Sequence, residues 1–276
     1  MTSCSTDSCN ERRVVSVTIM PQKYLAEQIA GNRFDINCVV PPNSNPEAFD
    51  PTPMQFVEID RSEAYLCVGG MLGFEVTWME RIARNNPDMK IYDTSRGIDM
   101  LTSTHSHEHN KGEMHECNVL DPHTWSSPRN VRIMAYNICR ALTELDNEYA
   151  DYYKENCDRL VQRIDSVEAV VSSLLEPCRG TAFAIYHPSL SYLARDYGLS
   201  QLCIEDMGKE NSVLALRNRV DEAQNSGVKV VFIQQEFNPR QVETFARELD
   251  AEVITINPLN YDWAAEIINI AHAIAR

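Results

Sequence analysis

Among its nine cysteines the sequence has no pair at C-x-x-C spacing, which excludes a thioredoxin-type redox motif and a four-thiolate zinc knuckle. No apolar run approaches the roughly 20 residues that a membrane-spanning helix needs. Positive charge is scarce: 25 Lys and Arg against 40 Asp and Glu give a formal net charge of -15. A phosphate backbone calls for a basic face, so nucleic acid is not an expected partner. The hydrolase signatures H-E-x-x-H and G-x-S-x-G are missing, and no internal repeat recurs at a fixed period. What is present is an acidic chain of 276 residues, 43% hydrophobic with a mean hydropathy of -0.34. That length suffices for two lobes that each bury a core without disulfide or metal staples.

The cysteines divide by context. Cys38, Cys67 and Cys203 sit in or beside apolar strand-like runs, where a thiol usually packs as a small hydrophobe. Cys4 lies instead in a polar stub over residues 1–13 that lacks the charged and hydrophobic regions of a signal peptide. The small residues before it are like the tail of a lipoprotein signal, which would make Cys4 a lipid-anchored first residue. The alternative is an ordinary disordered N-terminus.

After the stub the pattern alternates β and α. Strands are expected at Val14 to Ile19, Ile36 to Val40, Tyr65 to Val68 and Lys90 to Tyr92, with helices from Tyr24 to Ala30 and from about Glu75 to Asn85. Prolines from Pro41 to Pro53 predict a stiff irregular loop. From Tyr149 the apolar positions Tyr153, Cys157, Leu160, Ile164, Val167, Val171 and Leu174 follow at steps of three and four, one face of a long helix. Beyond Gly180, strands at Thr181 to Tyr186, Gln201 to Ile204, Val228 to Ile233 and Glu252 to Ile256 alternate with helices, and a last helix runs from about Asp262 to Ala275. The expected architecture is α/β: two similar lobes with mainly parallel sheets joined by one long rigid helix. The expected boundaries are 14–147 for the N-terminal lobe, 148–176 for the linker helix and 177–276 for the C-terminal lobe.

In open α/β sheets, ligands bind beyond the carboxyl ends of the strands. The polar residues that follow strands here are Glu47, His187, Gln234 and Asn257. The N-terminal lobe adds His123, in Asp121-Pro122-His123-Thr124-Trp125. Two imidazoles, a carboxylate and an amide oxygen suit a four-ligand site for a divalent transition metal if the lobes face each other. Each residue also fits a plainer role: a hydrogen-bonded core histidine, a solvated glutamate, or a helix-entry turn capped by Asp121 or Thr124. Separately, His105, His107, His109 and His115 fall within eleven residues, interleaved with carboxylates and without hydrophobic period. This reads as a loop able to chelate metal, more weakly than a preorganised cleft because it must be ordered on binding.

At these residues the sequence resembles the zinc- and manganese-binding solute-binding proteins of bacterial ABC importers, over essentially the whole chain after the stub. The most specific likeness is Asp121-Pro122-His123-Thr124-Trp125, similar to the family's aspartate-proline-histidine-x-tryptophan stretch. His187 and the later Tyr197-Gly198-Leu199 resemble the ligand-bearing strand end of the second lobe, and the His-rich loop resembles that of zinc-specific members. Two positions depart from the pattern. Glu47 stands where the family usually has histidine, and Asn257, before Pro258-Leu259, where it usually has aspartate. The resemblance implies a metal site of His123, His187, Glu47 and Asn257, with more oxygen character than usual and so less preference for Zn²⁺ over Mn²⁺ or Fe²⁺. Glu236 is a further carboxylate near the end of its strand, although the family pattern points nearer Gln234.

The resemblance further implies a monomeric periplasmic receptor, lipid-anchored through Cys4 if that residue is acylated, which hands its ion to an ABC permease and catalyses nothing. A metal-dependent hydrolase with Glu236 or Glu47 as base, and a surface adhesin without a transporter, are the alternatives. Because imidazole must be neutral to ligate, metal affinity is expected to fall as pH drops below about 6.5. The rigid helix implies release by small lobe tilts and loop rearrangement rather than by wide closure.

Overall fold

The computed structural model describes residues 13–103, 119–205 and 213–276. Residues 1–12 of the stub, Cys4 among them, and His105, His107, His109 and His115 lie outside these residues, while Arg13 opens β1. Two four-stranded parallel sheets organise the described chain. The first is built from β1 (Arg13–Val17), β2 (Phe34–Cys38), β3 (Ala64–Cys67) and β4 (Lys90–Asp93), interleaved with α1 (Met20–Ala30), α2 (Pro53–Asp60) and α3 (Gly73–Asn85). A two-stranded antiparallel ribbon, β5 (Thr102–Ser103) with β6 (Val119–Leu120), precedes α4 (Pro128–Leu145) and the long α5 (Ala150–Leu175). The second sheet contains β7 (Ala182–Ile185), β8 (Ser200–Cys203), β9 (Val230–Gln234) and β10 (Glu252–Ile256), with α6 (Ser191–Tyr197), α7 (Val213–Asn225), α8 (Arg240–Leu249) and α9 (Trp263–Ile274).

Strand order is β2-β1-β3-β4 in one sheet and, read from its opposite edge, β8-β7-β9-β10 in the other. In each sheet the first strand is central, the second lies on one side, and the third and fourth lie on the other. The lobes therefore share a topology. Both sheets reverse direction beside their central strand, the place where such sheets form a ligand crevice.

The 26 residues of α5 bury Tyr153, Cys157, Leu160, Ile164, Val167 and Val171 of the apolar stripe read from the sequence, together with Asn156, Val161 and Leu175, while Tyr149 and Leu174 at its ends are half-buried. At ~1.5 Å per residue such a helix is roughly 40 Å long. It packs on α1 and α4 of one lobe and on α9 of the other, within one apolar cluster that includes residues of both lobes.

The local signals differ from expectation at element starts. The proline-rich loop ends in a helix: Pro53 occupies the first turn of α2, where its missing N–H costs nothing. Thr52 and Gln55 cap that turn reciprocally. Likewise α1 begins at Met20 rather than Tyr24, with Pro21 in its first turn. Helix α4 is capped by Ser127, whose hydroxyl accepts from Arg129 N at 3.2 Å, and not by Asp121 or Thr124.

Candidate metal centre

His123 sits in a turn made by its own neighbours. Asp121 Oδ1 accepts the backbone N–H of His123 at 2.9 Å, an Asx-type turn of the kind an Asp-Pro pair favours. The same oxygen takes the ring nitrogen Nδ1 at 2.8 Å. Asp121 is in turn held by Tyr192, whose hydroxyl donates to its carbonyl oxygen at 2.7 Å from the other lobe. With Nδ1 bound to a carboxylate, His123 aims Nε2 outward as the lone-pair nitrogen.

His187 is arranged in the same way from the opposite wall. It follows β7, and its Nδ1 meets Glu205 Oε2 at 2.7 Å. Glu205 follows β8, the neighbouring strand. The backbone of His187 is clamped by buried Gln234, which accepts from its N–H at 3.4 Å and donates to its carbonyl at 2.5 Å. Gln234 thus positions a donor and spends its own polar atoms doing so. The two Nε2 atoms face each other at 3.3 Å. With Zn–N bonds of roughly 2.05 Å, that separation subtends about 107° at a shared ion, close to the tetrahedral value.

Glu47 supplies the third group. Its Oε2 accepts from Gly73 N at 2.8 Å, at the first residue of α3, where a carboxylate is favoured by the helix N-terminus. Its Oε1 is left 4.0 Å from His123 Nε2. One donor atom from each of Glu47, His123 and His187 lies within 4.8 Å of the others. The approach of this loop to α3 explains a glycine: a Cβ on Gly73 would sit 2.3 Å from the Glu47 carbonyl oxygen.

The electrostatics follow from burial and pairing. Burial works against a charged His123, but the charge and hydrogen bond of Asp121, aided by Glu47 and Glu236, outweigh it and raise the imidazole pKa. Burial alone would raise Asp121, yet His123 holds its carboxyl below the usual range. Glu236 is raised by burial, against the lowering effect of its own backbone N–H and of both histidines.

Of the residues anticipated for the cleft, Glu47, His123 and His187 are brought together. Asn257 is not among the residues that line the cleft with them: its Oδ1 accepts from Leu259 N at 3.2 Å, and Pro258 and Leu259 present the wall instead. Glu236 lines it, beside Glu47 and the two histidines. Glu205 was not anticipated, although the strand-end rule that selects His187 applies equally to the residue two beyond β8. The cleft encloses about 20 Å³, room for an ion or a water molecule.

Two equivalent parallel-sheet lobes on one helix, with paired imidazoles in the crevice between them, define a solute-binding receptor for metal transport. The chain belongs to the ZnuA family, the periplasmic component A of zinc-uptake complexes, whose family model matches residues 15–267. It is similar to the high-affinity zinc uptake system protein ZnuA of Bacillus subtilis, 23% identical over 264 residues that span 94% of this chain and 82% of that one. A crystal structure of ZnuA matches with a TM-score of 0.86 at 32% identity, over 96% of this chain and 98% of the other. A ZnuA deletion mutant with zinc bound matches with a TM-score of 0.85, also at 32% identity, over 96% and 97%.

Proposed function

We propose that this receptor captures a divalent transition-metal ion, zinc foremost, between a lobe over 14–147 and a lobe over 177–276, and presents it to an ABC permease. His123, His187 and Glu47 are the ligands. The observation that carries this reading is the pair of Nε2 atoms at 3.3 Å, each backed by a carboxylate on Nδ1. That arrangement fixes tautomer and ring orientation, as in carboxylate–histidine–zinc sites. The zinc named for the similar proteins supports the same ion here, while the carboxylate of Glu47 leaves Mn²⁺ and Fe²⁺ as competitors.

The ion is cargo. Component A of a zinc-uptake complex is a transport receptor, which supports that reading. The periplasmic location in the family description supports capture in that compartment, by a monomer held to the membrane if Cys4 is acylated. The test is elemental analysis of protein purified without added metal, followed by competition among Zn²⁺, Mn²⁺ and Fe²⁺ on protein stripped with chelator. One tightly held equivalent of zinc is expected, lost in both His123→Ala and His187→Ala. Tight binding that survives both substitutions would refute the assignment, and so would protein that binds none of the three.

A further inference from the structure

We infer that the carboxylate of Glu236 is the fourth donor to the captured ion, in the role the sequence pattern assigns to Asn257. The inference rests on the receptor reading above.

Three observations lead to it. First, place: Glu236 follows β9 by two residues and lines the cleft with Glu47, His123 and His187, and its charge acts on both imidazoles. Second, availability. Each of the other carboxylates around the centre has an oxygen already engaged: Asp121 and Glu205 on the two Nδ1 atoms, and Glu47 with Oε2 on the N-terminus of α3. Among the described residues, the donor that reaches Glu236 is its own backbone N–H, so oxygens remain for a cation. Asn257, in contrast, has its Oδ1 turned to Leu259 N.

Third, donor number. His123, His187 and Glu47 supply three donors, Asn257 is turned away to Leu259 N, and a closed zinc site takes four. The Glu236 carboxylate stands outside the cluster that the other three donors form within 4.8 Å, so its side chain must swing inward on capture. The backbone beneath it is steadied by Phe237, whose ring packs on Tyr186 at 4.9 Å and on His187 at 6.0 Å. A site of two nitrogens and two carboxylate oxygens, one of them confined to a single free oxygen by Gly73, suits a four-coordinate ion better than a six-coordinate one.

The test measures Zn²⁺ affinity by competition with a chromophoric chelator for the wild type, Glu236→Gln, Asn257→Ala and His123→Ala, each checked for folding by its thermal melt. Glu236→Gln keeps shape and removes charge. It is expected to weaken Zn²⁺ binding at least about 100-fold, the upper end of what outer partners of a metal site cost, while Asn257→Ala changes affinity less than about threefold. X-ray absorption of the zinc-loaded wild type is expected to count two imidazole nitrogens and two oxygens in the first shell. Should Glu236→Gln bind like the wild type while His123→Ala does not, Glu236 is not a donor and the receptor reading stands. Loss in Asn257→Ala equal to that in Glu236→Gln also overturns the inference. If both His123→Ala and Glu236→Gln bind normally, it is the receptor site itself that is wrong.

Discussion

Replacing Gly73 by alanine tests whether the helix beneath the loop sets the third ligand. The new Cβ would lie 2.3 Å from the carbonyl oxygen of Glu47 and 2.7 Å from its Oε2. Ordinary van der Waals contact begins near 3.4 Å, so loop and helix must separate by about 1.1 Å. The loop is pinned to the first turn of α3 by Gly73 N on Glu47 Oε2 at 2.8 Å and by Phe74 N on Pro46 O at 2.9 Å. Backbone on both sides of the clash leaves no flexible side chain to absorb it. A metal–oxygen bond is only ~2.0–2.2 Å long, so a displacement near 1 Å removes Glu47 from coordination. Zn²⁺ affinity should therefore fall about 10- to 100-fold, or roughly 1.4–2.7 kcal/mol. Stability should fall by roughly 0–2 kcal/mol, because alanine gains up to ~1 kcal/mol of helix propensity against ~1–3 kcal/mol of overpacking. Chelator competition and a thermal melt of the metal-free protein separate the two effects. The double substitution Glu47→Ala with Gly73→Ala should bind no worse than Glu47→Ala alone. Gly73→Ala protein that binds Zn²⁺ within twofold of the wild type would refute the reasoning.

Three further outcomes follow from the same geometry. Because His123 has a raised pKa in the folded protein, protons compete with the metal from above the ordinary imidazole midpoint of about 6.5, and Zn²⁺ affinity should decline from there as pH falls. The metal-free fold should behave in the opposite sense. Protonated His123 stabilises it fully below the unfolded-state pKa, and that contribution is lost as pH rises through the folded value, so melts over a pH series should show a loss on going alkaline that His123→Ala lacks. Asp121→Ala and Glu205→Ala each free an Nδ1 and should weaken Zn²⁺ binding about 10- to 100-fold without altering the number of ions bound; an effect below twofold in direct titration would show that the rings are oriented by packing alone. Deleting residues 105–115 should cost far less affinity than His123→Ala, measured by the same titration, and equal losses would move the principal site out of the cleft.

How much of this was legible in the sequence depends on the length scale of each signal. The stripe on α5 repeats over seven turns, so its period identified the helix and its buried face. The short strands were found from β-branched runs, but their ends drifted: Thr18 and Ile19 continue the β1 run in composition, yet they turn into α1. Pro53 starts a helix instead of breaking one, and the two-residue strands β5 and β6 carry too little pattern to see. The site divides similarly. His187 and Glu47 follow from the rule that ligands gather at strand ends, and His123 from the Asp121-Pro122-His123-Thr124-Trp125 stretch, since the two-residue β6 before it gives no strand signal. Asn257 is also at a strand end, but the direction of its side chain is decided by a local bond to Leu259 N, which spacing does not encode. Glu205 follows its strand as His187 does, but a solvated glutamate is the ordinary outcome for that residue type. Only the fold reveals β8 running beside β7, and with it the Nδ1 that Glu205 meets.

The two imidazoles are fixed relative to each other by bonds that cross between the lobes. Trp125 Nε1 donates to Pro258 O at 3.0 Å, and Trp263 Nε1 donates to Trp125 O at 2.8 Å. Tyr192 reaches Asp121 O, Arg195 reaches Asp99 O at 2.6 Å, and Ser127 pairs with Asp196. At ~0.5–1.5 kcal/mol each, swinging the lobes apart would forfeit roughly 3–7 kcal/mol before the shared packing on α5 is counted. These bonds flank His123 on both sides, so a wide opening would strip Asp121 and Trp125 of their partners across the cleft. The cheaper movements lie at the front of the cleft. There Glu47 stands in the proline-rich loop and Glu236 in the turn after β9, and the two segments touch through an exposed bond from Gln235 Nε2 to Asn43 Oδ1 at 2.5 Å. An exposed bond exchanges readily with water and costs little to break. The nitrogen donors, and Glu47 through its bond to Gly73 N, are therefore the preorganised part of the site, and Glu236 the part that can move with the ion.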